Sequence, residues 1–252
     1  MKNCFGSQAL TSAPLRRRTF LAVASMVLLL PKELLGNTIG YPAEVAGAQL
    51  PHTRMCLDAY ELCRSAAPAF LVNHSLRTYV FGALYLAHRK QAFHAETAFV
   101  AAMLHDMGLL APFASKSGTF EIDGAQRAEE FAERHGASAS EAAAVWNAIV
   151  MHDMRLSVAL HQSPEATVVA AGAGADVIGP DEHIIGARAV REVVEAFPRL
   201  QFKNKFVALL TDHCRRKPGA QTGTWLEGFC RQHSTVPNSA TEQAIRAAPF
   251  AE

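Results

Sequence analysis

Several things are scarce in this 252-residue chain, and each scarcity excludes something. Net charge is nearly absent: 24 Lys and Arg stand against 23 Asp and Glu. The clustered basic surface that nucleic-acid binding requires is not written into the chain, so we expect no nucleic-acid partner. No apolar run approaches the roughly 20 residues of a membrane-spanning helix, so no stable span is expected in the mature protein. Alternating strand-like patterns of useful length are missing, as is any internal repeat. No Pro/Gly/Ser-rich linker divides the middle of the chain. Cysteine is limited to Cys4, Cys56, Cys63, Cys214 and Cys230. No C-x-x-C occurs, which removes the usual zinc-ribbon and thioredoxin-like signals. Cys56 and Cys63 lie about 10 Å apart along a helix and cannot bridge. The cysteines therefore read as buried free thiols.

Half of the residues are hydrophobic, enough for a globular core. The basic residues are unevenly placed, with five Lys/Arg and only two acids in residues 1–48. There "LRRRTFLAVASMVLLL" has the charged-then-apolar layout of a signal peptide. Arg17-Arg18-Thr19-Phe20-Leu21 resembles a twin-arginine export signal. The competing reading is a core helix with a basic start, which the helix dipole disfavours. We therefore expect an export signal and linker over 1–48 and an exported, periplasmic or secreted protein, with a cytoplasmic one as the alternative. Ala46-Gly47-Ala48 has the small-x-small form of a cleavage site, although it lies far from the apolar run.

From residue 50 onward nearly everything has helical periodicity. Apolar stripes predict helices over 52–66, over 73–90 and through His105. "APFASKSGTF" is a loop by composition. A helix is predicted at 122–134. Ser138 and Glu141 form a capping box that opens another, through Ile149. Ser163-Pro164 begins a further helix. Asp181 is a candidate cap for one ending at Phe197-Pro198, and a last helix spans 201–215. The expectation is one all-α helical bundle over 49–217, with an irregular tail over 218–252 whose Trp225–Phe229 patch packs back.

The functional signal is a set of ionisable residues on apolar faces. "AFVAAMLHDMGLL" places His105 and Asp106 at the end of a buried stripe. His152 lies three residues past Ile149 and seven past Val145, on the same face. Asp176 is seven past Val169. His74 stands beside Leu76 and Tyr79. Buried ionisable groups are costly unless paired or metal-bound. Several inward His and Asp residues on different helices point to a metal centre. A single inward histidine would more often be a hydrogen-bonded core residue. Imidazole and carboxylate suit zinc, iron or manganese.

In order, His74…His105-Asp106…Asp176 resembles the H…HD…D signature of HD-domain metal-dependent hydrolases. "NHSLRTYVFG", "LHDMG", "FEIDGAQRAEEF", "AIVMHD" and "EAFPR" resemble the cyanamide hydratase-like branch, over about residues 70–205. The family's bulky aromatic block reads Ile122-Asp123-Gly124 here. The resemblance implies an all-helical domain with a central site, and one divalent metal, zinc or iron, held by His74, His105, Asp106 and Asp176. It also implies that residues around Glu121 and His152 line the pocket.

Hydrating a nitrile-like substrate requires a proton donor as well as an activated water. His152 is the first candidate, with a further metal-ligand role as its alternative, and Glu121 is the second. Arg77 and Lys116 are candidate substrate contacts; Arg77 is as well suited to orienting a ligand carboxylate. The expected function is addition of metal-activated water to a small nitrogenous molecule. An HD phosphohydrolase is the alternative, but Arg77, Lys116 and Arg127 are few cations for a phosphate site. A non-catalytic metal-binding module is the third reading. A small-molecule substrate is the expected partner, and a homo-oligomer is compatible with the sequence.

Overall fold

Serine and threonine side-chain caps start four helices, two of them, at Ser138 and Ser163, where the sequence puts them. Thr53, Thr119, Ser138 and Ser163 each accept a backbone N–H at a helix start, and the Ser138–Glu141 capping box is complete. The computed structural model describes residues 40–181 and 183–236. The arginine cluster and apolar run assigned to an export signal lie outside the described residues. Ten α-helices and one two-stranded hairpin make up the described fold: β1 Glu44–Val45, β2 Ala48–Gln49, α1 Arg54–Ala66, α2 Ala69–His88, α3 Ala95–Leu104, α4 Phe120–Arg134, α5 Ala139–Val150, α6 Leu156–Gln162, α7 Pro164–Ile178, α8 Ala187–Ala196, α9 Phe202–Arg216 and α10 Glu227–His233. The chain is all-α in class, as its periodicity predicts. None of the described helices is long and apolar enough to cross a membrane.

Four local expectations differ from the structure. Ala46 and Gly47 both have positive φ and form the turn of the β1–β2 hairpin. Tyr41, Val45, Ala48 and Leu50 are buried, and Tyr41 stacks on Phe99 and His52. The packed domain therefore reaches further toward the N-terminus than residue 49. Asp181 does not cap α8; its carboxylate accepts the His183 N–H in a turn, and α8 begins after Gly186. The tail carries α10. Finally, Cys214 and Cys230 form a disulfide that ties α9 to α10, while Cys56 and Cys63 remain free and buried. The free-thiol reading is thus corrected for Cys214 and Cys230. Pairing depends on the chain turning back after α9, and spacing alone does not show that.

The disulfide closes a loop of 16 residues, for which chain entropy gives about 3 kcal/mol. Intact-mass analysis before and after alkylation should show two blocked cysteines. Reduction, or Cys230→Ser, should lower unfolding free energy by about 2–3 kcal/mol in chemical denaturation. No change in either would remove the crosslink.

Helices α2 and α7 form the spine beneath the site. A Cβ on Gly82 would sit 2.0 Å from the Val168 carbonyl oxygen, and one on Gly172 would sit 1.8 Å from that of Thr78. At both places backbone meets backbone, which only glycine permits. The contacts advance by one helical turn in opposite senses, 82 with 168 and 78 with 172, so the helices run antiparallel. One further turn brings residues 74 and 176 together. Gly172→Ala should cost about 2 kcal/mol or more in urea unfolding, because overpacking outweighs alanine's helix propensity. An unchanged midpoint would contradict this packing.

Candidate metal centre

The α2–α7 register sets the first contact of the site. His74 Nδ1 lies 2.7 Å from Asp176 Oδ2 in the buried interior. A carboxylate accepts, so Nδ1 carries a hydrogen, and in the neutral ring Nε2 presents a lone pair on the opposite side. Two more imidazoles are fixed by a different device. His105 caps the end of α3 and donates Nδ1–H to the Ala102 carbonyl at 2.8 Å. His152, just past α5, donates Nδ1–H to the Ile149 carbonyl. Each ring binds a carbonyl in the last turn of its helix. When neutral, each is thereby left with a bare Nε2.

The end of α3 explains the adjacent histidine and aspartate. Mid-helix neighbours point about 100° apart. Here α3 stops at Leu104, Asp106 leaves helical geometry, and a short 3-10 turn follows over Met107–Leu109. Gly108 allows that turn to press on α4, since a Cβ there would lie 2.0 Å from the Phe120 carbonyl oxygen. His105 and Asp106 can then face one point.

That point is defined by three atoms. His74 Nε2 and His105 Nε2 are 3.2 Å apart. Asp106 Oδ2 lies 3.3 Å from the first and 3.4 Å from the second. All three residues are buried, and Asp106 Oδ2 has no hydrogen-bond partner. Two imidazole nitrogens and a carboxylate oxygen converge, and with both rings neutral a cation satisfies all three. Bonds of about 2.0–2.2 Å to a single ion place neighbouring ligands about 2.8–3.6 Å apart, from octahedral to tetrahedral angles. The group therefore fits a metal ion. Burial works against ionising Asp106, but the neighbouring His105 and His74 rings hold its carboxyl well below the usual range.

Asp176, expected as a fourth ligand, lies behind His74 rather than beside the other three. Its carboxylate accepts from His74, from Arg77 through Nε and Nη2 at 2.8 Å each, and from Arg199. Burial opposes its ionisation, and the His74 and Arg77 hydrogen bonds overcome that. Asp176 thus orients His74 and fixes its tautomer. Arg77 is fully buried and also donates to the Phe197 and Pro198 carbonyls. It holds Asp176 and is closed to substrate. Arg199 was not singled out in the sequence. It closes the EAFPR block, but only the fold brings residue 199 back onto residue 176. Phe202 stacks on His74 at 4.8 Å and lies beneath both guanidinium groups.

His152 comes to the same centre. Its ring is 4.8 Å from that of His105, and its Nε2 is 3.9 Å from Asp106 Oδ1. Burial, followed by the charge of His105, lowers its pKa to about 4. Glu121 is buried on α4, and neither of its oxygens has a hydrogen-bond partner. Burial and then the neighbouring Asp153 raise its pKa to about 8. It does not line the cavity, whereas Asp153 does. Asp153 reads from sequence as a surface residue, because it follows the end of a helix. Lys116 is exposed on its loop and lies off the cavity wall. The buried amine nearby is Lys217, which pins that loop by bonding Asp123 and the Gly118 carbonyl.

A cavity of about 480 Å³ opens over His74, His105, Asp106 and His152. No family model matches this chain, and none of the curated proteins compared with it does. The site's chemistry is accordingly read from its own atoms. It offers two imidazole nitrogens and one carboxylate to an ion, a third imidazole beside them, and a half-open cleft for a small molecule.

Proposed function

We propose that this chain is an HD-domain metal-dependent enzyme of the cyanamide hydratase-like kind, which adds water to a carbon–nitrogen multiple bond or hydrolyses an amide. One observation carries the reading: His74 Nε2, His105 Nε2 and Asp106 Oδ2 converge, buried and within 3.4 Å of one another, at the floor of a cavity. The order of these residues along an all-helical chain supports the family assignment. Two histidines and one carboxylate suit zinc or iron(II) and leave positions for water and substrate.

When bound, the metal would supply Lewis acidity and would acidify a water toward neutral pH. The protein's residues do the rest. His74 and His105 are held rigidly by Asp176 and the Ala102 carbonyl, so the ligand lone pairs need no reorganisation. His152 presents a neutral Nε2 within reach of the reacting atoms and can take a proton from water and return it to nitrogen. For a nitrile, water oxygen bonds to carbon as one carbon–nitrogen π bond breaks and one proton reaches nitrogen, giving the imidic acid; tautomerisation then moves the second proton to nitrogen as the remaining carbon–nitrogen π bond is replaced by the carbonyl of the amide. The apolar cavity limits bulk water. Phosphoester hydrolysis fits less well, since Arg77 is committed to Asp176 and Lys116 lies elsewhere.

We also read the protein as exported. The Cys214–Cys230 disulfide supports this, because such bonds persist in oxidising compartments. The test of function is turnover of cyanamide, small nitriles and small amides by zinc- and iron-loaded protein. Activity should vanish after chelation and return with metal. Turnover of phosphoesters alone would overturn the hydratase reading, and turnover unaffected by chelation would overturn the metal.

A further inference from the structure

The cavity is much larger than its floor requires. At about 480 Å³ it lies in the range of clefts that enclose whole organic ligands, about 300–1,000 Å³. Its lining is chiefly apolar. Ala170, Ala173, Gly174 and Val177 of α7 contribute, and so do Ile185 and Phe206. The rim is apolar as well. Met154, Ile178 and Trp225 line the cavity and are nevertheless 48%, 88% and 51% exposed. They are half of the exposed large hydrophobic side chains among the described residues. Single exposed apolar side chains are ordinary, but a group of them around one opening marks a binding surface.

Charge around the cavity points the same way. Arg155 is the one Lys or Arg among the described residues that line it, whereas Asp153 and Asp181 join Asp106. An anionic substrate body would meet more carboxylates than cations. A neutral apolar body would meet matching surface and be stabilised by leaving water.

We propose that the substrate has an uncharged, mainly apolar body, aliphatic or aromatic, that fills this cavity, with one small polar group reaching the His74–His105–Asp106 end. The inference rests on the metal reading above and narrows it: the preferred substrate is larger than cyanamide and carries no phosphate.

The test uses straight-chain hydroxamic acids, whose head group chelates a metal, titrated calorimetrically into zinc-loaded protein. Each buried methylene should tighten binding about threefold or more, so hexanohydroxamate should bind roughly a hundredfold tighter than acetohydroxamate. Gly174→Leu supplies the control. A Cβ there meets nothing within 4 Å, and leucine suits a helix interior better than glycine, so the variant should fold and keep its metal. It should weaken hexanohydroxamate at least tenfold and leave acetohydroxamate unchanged. Metal-dependent acetohydroxamate binding with no gain along the series would overturn the apolar body and leave the metal intact. Equal weakening of both ligands by Gly174→Leu would also overturn it. Alkyl amides titrated into metal-stripped protein separate the two ideas. A chain-length gain there, with no metal-dependent head-group binding in the first series, would support the apolar body and defeat the metal reading.

Discussion

His105→Ala should retain less than about a tenth of the metal held by the unaltered protein, which should carry about one equivalent of zinc or iron. The basis is that each of three groups supplies one ligand atom, and no described side chain is placed to replace His105 Nε2. His152 is the nearest alternative, but its Nε2 is 3.9 Å from the far oxygen of Asp106 and its ring is held by the Ile149 carbonyl. Loss of even an orienting partner typically costs 10–100-fold in metal affinity, and loss of a direct ligand costs more. Elemental mass spectrometry on protein purified without added metal measures this. Full metal content in His105→Ala would remove the site. About two equivalents in the unaltered protein would recruit His152 as a ligand of a second ion and bring phosphoesters back into consideration.

Asp176→Ala should be the most damaging single change to stability. The carboxylate is buried and accepts from three side chains, His74, Arg77 and Arg199. Its removal leaves the Arg77 guanidinium fully buried without its counter-charge, a change that costs about 3–5 kcal/mol. Arg199 is partly exposed and can turn to water. At about 2–4 °C per kcal/mol for a domain of this size, the melting temperature should fall by roughly 10 °C. Adding Arg77→Met should recover part of the loss, because the orphaned charge disappears too. A melting temperature within a degree or two of the parent would show that the pair carries no weight. Asp176→Asn separates orientation from ligation. If Asp176 only orients His74, metal should weaken 10–100-fold and remain restorable by excess ion. Complete loss, equal to that of His105→Ala, would make Asp176 a direct ligand after all.

The helices and the presence of the site were legible in the sequence because their causes are local. Apolar residues at three- and four-residue spacing define α1, α2, α3 and α5, and side chains at fixed offsets cap α5 and α7. Histidine and aspartate on those apolar stripes were anomalous enough to mark His74, His105, Asp106 and His152. What the fold alone decided was which group meets which. Glycine contacts at 82 and 172 set the α2–α7 register, and that register turns Asp176 onto Nδ1 of His74 and beneath Arg77. The return of the chain after α9 joins Cys214 to Cys230, and packing among separate segments gives Asp153 and Trp225 a place on the cavity wall. Periodicity tells which side of a helix is buried. Partners across the interior depend on contacts between segments a hundred residues apart, and no local pattern encodes those.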